Sequence, residues 1–283
     1  MKKAVVLGGG GPVGIAWETG IIAGLESAGI LLGKADFILG TSAGSMVGAQ
    51  IASGWSAISM VETEMKQAET PPKGNDSSGP SPNLDQLMEF MLKASSEDPL
   101  QHWKKIGGFA LTAKTISEDT FLSYFKDIAG VGHWPENYFC TAINVKDGSF
   151  KLWNKNEDVE LQKAVTSSCA VPGIFPPITI KGDRYMDGGM ASATNATLAK
   201  GHDRVVILSV MTEEMQKFMG NPLEKEVHIL EAAGSKVMVI SPDTLSVEAF
   251  GPNLMDNSRR SSVAKAGLRQ GKAEALKLHA IWD

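Results

Sequence analysis

With 283 residues, 43% of them hydrophobic and 21% charged, the chain can bury a substantial core as one large α/β domain or two small ones. Its net charge of −5, with no long basic run, leaves nucleic-acid binding without an electrostatic footprint. Cys140 and Cys169 have neither metal-ligand spacing nor disulfide density, and both sit in apolar stretches that suit buried free thiols in a reducing compartment.

Met1-Lys2-Lys3 opens like a signal peptide, but the apolar run Ala4-Val5-Val6-Leu7 stops too soon for one, and no run approaches bilayer length. The expectation is a cytoplasmic, soluble protein. Lys3 to Leu7 reads as a central parallel strand, Gly8 to Gly14 as a loop, and Ile15 to Ala28 as a helix closed by Gly29. A second buried strand, Phe37-Ile38-Leu39, runs into Gly40-Thr41-Ser42-Ala43-Gly44 and then a helix from Ser45 to Ala52. Such β-α-β-α order belongs to a parallel sheet covered by helices.

Trp55 to Gly132 reads as a largely helical insertion, with a low-complexity surface loop from Thr70 to Asn83 and helices over Leu84 to Lys93 and Thr120 to Ile128. Its aromatic residues could dock on a membrane surface; core packing is the simpler reading. Tyr138 to Val145 and Phe150 to Trp153 form a hairpin about an Asp147-Gly148 turn. A helix over Glu160 to Ser168 leads into the proline-punctuated loop to Pro177. A second hairpin, Ile178 to Met186, ends at Asp187-Gly188-Gly189. Arg204 to Val210 and Lys236 to Ile240 are further buried strands, and Ser258 to Leu278 is helical with a solvated basic face. No domain boundary is visible, so residues 1–283 are read as a single domain with a helical insertion over 55–132 and a C-terminal helical extension over 245–283.

Three glycine-bearing turns follow strands. Gly40-Thr41-Ser42-Ala43-Gly44 is a G-x-S-x-G in strand–turn–helix context, which makes Ser42 a candidate nucleophile rather than one serine in a glycine-rich turn. Gly9, Gly11 and Gly14 spell G-x-G-x-x-G, so a dinucleotide-binding domain is one alternative. That reading wants an acid at the end of the second strand, whereas Asp36 stands at its beginning. The other use of such a loop is an oxyanion hole of successive backbone N–H groups. Asp187 has the setting of a functional acid, with a simple Asp-Gly turn as the plain alternative. A conventional triad would need His202, His228 or His279, none of which lies in a recognisable strand-end loop.

Gly9-Gly10-Gly11-Pro12-Val13-Gly14, Gly40-Thr41-Ser42-Ala43-Gly44 and Asp187-Gly188-Gly189 together resemble the motifs of the patatin-like phospholipases, as does the run from Ser168 to Pro177. The resemblance covers Lys3 to about Val210 outside the insertion. It implies a three-layer α/β/α fold with a mainly parallel sheet and a Ser-Asp dyad without histidine. It also implies hydrolysis of acyl esters in phospholipids, lysophospholipids or related lipids, with no cofactor or metal and at most transient membrane-surface contact. Ser42 would then be the nucleophile, Asp187 the base, and Gly10 and Gly11, with Gly9, the oxyanion donors. The family usually carries arginine or lysine before the last glycine of the first motif; Val13 stands there, which bears on loop anchoring and on substrate charge. A catalytically silent lipid-binding relative would share the same motifs.

Overall fold

The computed structural model describes residues 1–67, 86–87, 89–90, 98–129 and 131–282. The low-complexity run at 70–83 and most of the helix expected over 84–93 lie outside them. The strands are β1 (Lys3–Leu7), β2 (Phe37–Gly40), β3 (Tyr138–Asn144), β4 (Phe150–Trp153), β5 (Ile178–Ile180), β6 (Asp183–Asp187), β7 (Arg204–Leu208) and β8 (Lys236–Ile240). The helices are α1 (Gly11–Glu26), α2 (Ala43–Ala52), α3 (Ala57–Gln67), α4 (Pro99–Thr112), α5 (Glu118–Ser123), α6 (Lys126–Ala129), α7 (Leu161–Ser168), α8 (Glu213–Phe218), α9 (Pro222–Ala232), α10 (Thr244–Phe250) and α11 (Arg260–Trp282).

β3, β2, β1, β7 and β8 run parallel in that spatial order, while β4, β5 and β6 join antiparallel on the β3 side. Both faces of the central strands are apolar because both are covered. Val5, Leu7, Ile38, Val206 and Leu208 pack into the core shared with α1, α2 and α11. Ala4, Val6, Leu39, Val205 and Ile207 meet Leu223 and Leu230 of α9 on the other face. This is the three-layer α/β/α arrangement.

One detail of register places the functional residues. β4 takes one edge of β3 from Cys140 to Ile143. The opposite edge is shared: β2 pairs with Tyr138 to Cys140, and β6 pairs with Ala142 to Asn144. β2 is parallel to β3 and β6 antiparallel, so their C-terminal ends, Gly40 and Asp187, converge beside Thr141.

Two elements differ from the sequence reading. α1 begins at Gly11, inside the expected loop, because proline is accommodated in a first helical turn even beside glycine. The expected C-terminal extension is part of the core: α11 lies so close to α1 that a Cβ on Gly271 would stand 2.2 Å from the Ile21 carbonyl oxygen, and one on Gly20 2.4 Å from that of Ala264. A partly buried bidentate pair ties α11 to α3, with Arg260 Nε 2.7 Å from Glu64 Oε2 and Nη2 2.6 Å from Oε1. Within the insertion, the aromatic residues Trp103 and Phe109 of α4 pack inward with Phe90 against Ile143 and Met186. Phe121 of α5 stacks on Phe175 of the proline loop at 4.2 Å.

Candidate active site

Ser42 occupies the turn between β2 and α2 with φ 53° and ψ −121°, a conformation that costs a non-glycine residue about 1–3 kcal/mol unless its surroundings impose it. They do so from three directions. The Ser42 N–H donates to Ser168 Oγ at 3.0 Å. Its carbonyl accepts from Ser45 Oγ at 2.6 Å and from the Cys169 thiol at 3.1 Å. Burial pushes the Cys169 thiol upward, as does the nearby Asp187 charge, so it stays protonated and able to donate. Tyr138 Oη, 2.6 Å from the Ser45 carbonyl, braces the first turn of α2. Gly40 and Gly44 allow the turn to be this tight: a Cβ on Gly44 would be 2.3 Å from the Leu7 carbonyl oxygen, and one on Gly40 2.3 Å from the Ser45 Cα.

Asp187, the last residue of β6, is 1% exposed and faces the Ser42 hydroxyl. Its N–H donates to the Ala170 carbonyl at 3.0 Å, and its Oδ1 accepts the Gly189 N–H at 2.7 Å. Burial pushes its carboxyl up to about 7, against the pull of the Ser42 hydroxyl and the Gly189 N–H. Gly188 lies against Thr141, and Thr141 Oγ1 is 3.0 Å from Thr41 Oγ1. Asn195, in the left-handed region at φ 52°, donates to Thr41 Oγ1 at 3.1 Å and to the Gly188 carbonyl at 3.3 Å. It therefore joins the residue before Ser42 to the residue after Asp187.

The first glycine turn lies at the same place. A Cβ on Gly9 would stand 3.3 Å from Ser42 Cβ. One expectation for this loop requires correction: the Gly9 N–H is already bonded to the Ala193 carbonyl at 2.8 Å and is not free to donate to a ligand. Gly10 and Gly11 stand at the N-terminus of α1, where backbone N–H groups have no intrahelical acceptor. None among the described residues supplies one. The positive end of the helix dipole lies there too. Gly14 closes the first turn, its N–H donating to the Gly10 carbonyl at 2.8 Å.

The histidines are elsewhere. His202 precedes β7 and packs at a tilt against Phe37 at the start of β2, the far end of the sheet from Ser42. His228 lies on α9, and His279 reaches the Ala28 carbonyl. Asp36, the acid nearest in sequence to a dinucleotide-type role, accepts the Lys3 N–H at 2.7 Å beside the start of β1, remote from the glycine turn. In the sequence Ser168 and Cys169 stand out only as part of the run to Pro177, and Asn195 belongs to no motif. The available signal was polar residues gathered at the end of a buried helix and just past the Asp-Gly-Gly turn.

A family model described as patatin-like phospholipase matches residues 5–200. The lysophospholipase nte1 of Aspergillus oryzae is 28% identical over 209 residues, covering 73% of this chain and 11% of that protein. The lysophospholipase NTE1 of Candida albicans is 27% identical over 191 residues, covering 65% of this chain and 11% of that protein. The chain thus corresponds to about a tenth of the length of these curated relatives. Among solved structures, VipD from Legionella pneumophila aligns over 98% of this chain and 67% of its own, at 16% identity and a TM-score of 0.48, a loose likeness of shape.

Proposed function

The chain belongs to the patatin-like phospholipase family, and on that premise we propose that it is a serine hydrolase of lipid acyl esters acting through Ser42 and Asp187. The observation that carries this reading is the Ser42 hydroxyl facing a buried carboxyl whose pKa is raised to about 7, with no histidine nearby. A free aspartate, at about 3.9, is a feeble base toward a serine hydroxyl; one at about 7 is matched to proton transfer near neutrality.

In the first half-reaction the Asp187 carboxylate accepts the Ser42 proton as Oγ bonds to the ester carbonyl carbon. The Gly10 and Gly11 N–H groups hold the oxyanion. The intermediate collapses, the alcohol leaves with the proton from Asp187, and the fatty acyl group remains on Ser42. Water then attacks the acyl-enzyme, Asp187 taking its proton and returning it to Ser42 Oγ as that oxygen leaves, and the fatty acid departs. Lysophospholipid esters are the favoured substrate class because the relatives named above are lysophospholipases. Such substrates reside in lipid aggregates, so the protein meets a membrane surface transiently.

Hydrolysis of p-nitrophenyl acyl esters and of a lysophospholipid panel tests this. Ser42→Ala and Asp187→Asn should each abolish turnover and fluorophosphonate labelling while melting cooperatively. His202→Ala, His228→Ala and His279→Ala should retain turnover. Wild-type rates in either site variant, or loss of activity in one histidine variant, would overturn the reading.

A further inference from the structure

We infer that the segment Gly251–Asp256, which lies beyond the part of the chain matched by the family model, positions the oxyanion loop from its outer side. The inference rests on the hydrolase reading above and adds a structural element to it.

The loop is held on its inner side by the sheet. The Gly8 N–H donates to the Leu208 carbonyl at 3.0 Å, and the Gly9 N–H to Ala193. Val210 packs so tightly beneath that a Cβ on Gly10 would stand 2.5 Å from its Cγ1. None of these contacts restrains the far side of Gly11, which takes φ +58°. The C-terminal segment supplies that restraint. The Val13 N–H donates to the Leu254 carbonyl at 3.2 Å. A Cβ on Gly11 would be 2.8 Å from that carbonyl oxygen and 2.8 Å from Met255 Sδ, so the 254–255 stretch lies directly against the Gly11 backbone.

This arrangement has a chemical consequence. The first turn of α1 offers unpaired N–H groups at Gly10, Gly11 and Val13, since Pro12 has none. The Leu254 carbonyl takes the third, leaving two adjacent donors and fixing the direction in which they point. Val13 can make no outward contact through its side chain, which is wholly buried in the core. The outer hold is therefore a backbone bond from the C-terminal segment and the pressure of Met255.

The segment is itself braced. Asn253 Oδ1 accepts the Met255 N–H at 2.9 Å. Arg259 pairs with Asp256 at 3.3 Å and donates to the Ala249 carbonyl at 3.3 Å. Leu254 packs against the main core.

The test uses the full chain, with active sites titrated by a fluorophosphonate so that kcat refers to competent enzyme. Met255→Ala should lower kcat for p-nitrophenyl butyrate about tenfold, short of the ~10²–10³ that deleting one oxyanion donor costs, with KM within about twofold. Asn253→Ala should move kcat the same way, and Met255→Leu, close in volume, should recover most of the loss. Titrated kcat at the wild-type level in both alanine variants, even with a lowered melting temperature, would make the segment a mere stabiliser and overturn the inference. So would a rise in KM at unchanged kcat. Wild-type protein that neither labels nor hydrolyses would instead defeat the hydrolase reading.

Discussion

The Ser42 hydroxyl faces the Asp187 carboxyl because β2 and β6 end against one another on a single edge of β3. That placement buries the carboxyl almost completely, and burial raises its pKa to about 7. Only the ionised form can accept the serine proton. We therefore expect kcat/KM to fall tenfold per pH unit below an apparent pKa near 7. A profile flat down to pH 5 would show that this carboxyl is not the base.

The same shift has a stability consequence of opposite sense. Between about pH 4 and pH 7 the unfolded chain has released this proton while the native state retains it, so the wild type loses stability as pH rises through that window. Asp187→Asn has no such proton to lose. It should gain on the order of 3–4 kcal/mol relative to the wild type on going from pH 4 to pH 8, read from denaturant midpoints. A difference between the two proteins that does not vary with pH would contradict the raised pKa.

The clamp on Ser42 predicts a separation of activity from stability. Cys169→Ala removes a donor to the Ser42 carbonyl, whereas Cys169→Ser keeps one. Titrated kcat should fall roughly three- to tenfold in the alanine variant, in keeping with about 1 kcal/mol for one hydrogen bond, and much less in the serine variant. Ser168→Ala should cost more, because it strands the Ser42 N–H in a buried setting. Equal rates for Cys169→Ala and Cys169→Ser would dismiss the thiol as a positioning group.

How far the sequence revealed this site depends on which residue is asked about. Ser42, Asp187 and their flanking glycines were legible because tight turns restrict residue choice to a recognisable few. The strands β2, β3 and β8 were legible as apolar runs bounded by turns. Asn195 and Ser168 were not, since a hydrogen bond across the fold leaves no local periodicity. The spent Gly9 amide was likewise invisible: whether a glycine N–H is free depends on the Ala193 carbonyl, distant in sequence. Leu254 and Met255 lie in a stretch with no pattern of its own, and only the return of the chain over α1 gives them a role.

Glu18 offers a test away from the chemistry. It is fully buried on α1, neither carboxyl oxygen has a hydrogen-bond partner among the described residues, and burial drives its pKa well above the usual carboxylate value. The native state holds this proton where the unfolded chain would release it, so the residue costs more stability as pH rises. Glu18→Met should raise stability at pH 8 by roughly 1–3 kcal/mol, and by less at pH 5. A lower melting temperature at both pH values would mean that the buried acid has a partner these contacts do not include.

Two glycines inside helices should respond to the same substitution with opposite signs. Gly108 sits on the exposed face of α4, and a Cβ there would meet none of the described residues within 4 Å. Gly108→Ala should therefore stabilise by about 0.5–1 kcal/mol through reduced backbone freedom of the unfolded chain. Gly271 lies where α11 presses on α1, and its Cβ would stand 2.2 Å from the Ile21 carbonyl oxygen. That neighbour is backbone and cannot step aside without moving α1, whose N-terminal end carries the Gly10 and Gly11 N–H groups. Gly271→Ala should then destabilise by about 1–3 kcal/mol, the usual range for overpacking, and lower titrated kcat as well. Gly108→Ala should leave kcat alone. Matching thermal shifts in the two variants would show that α11 does not press on α1 as closely as these distances require.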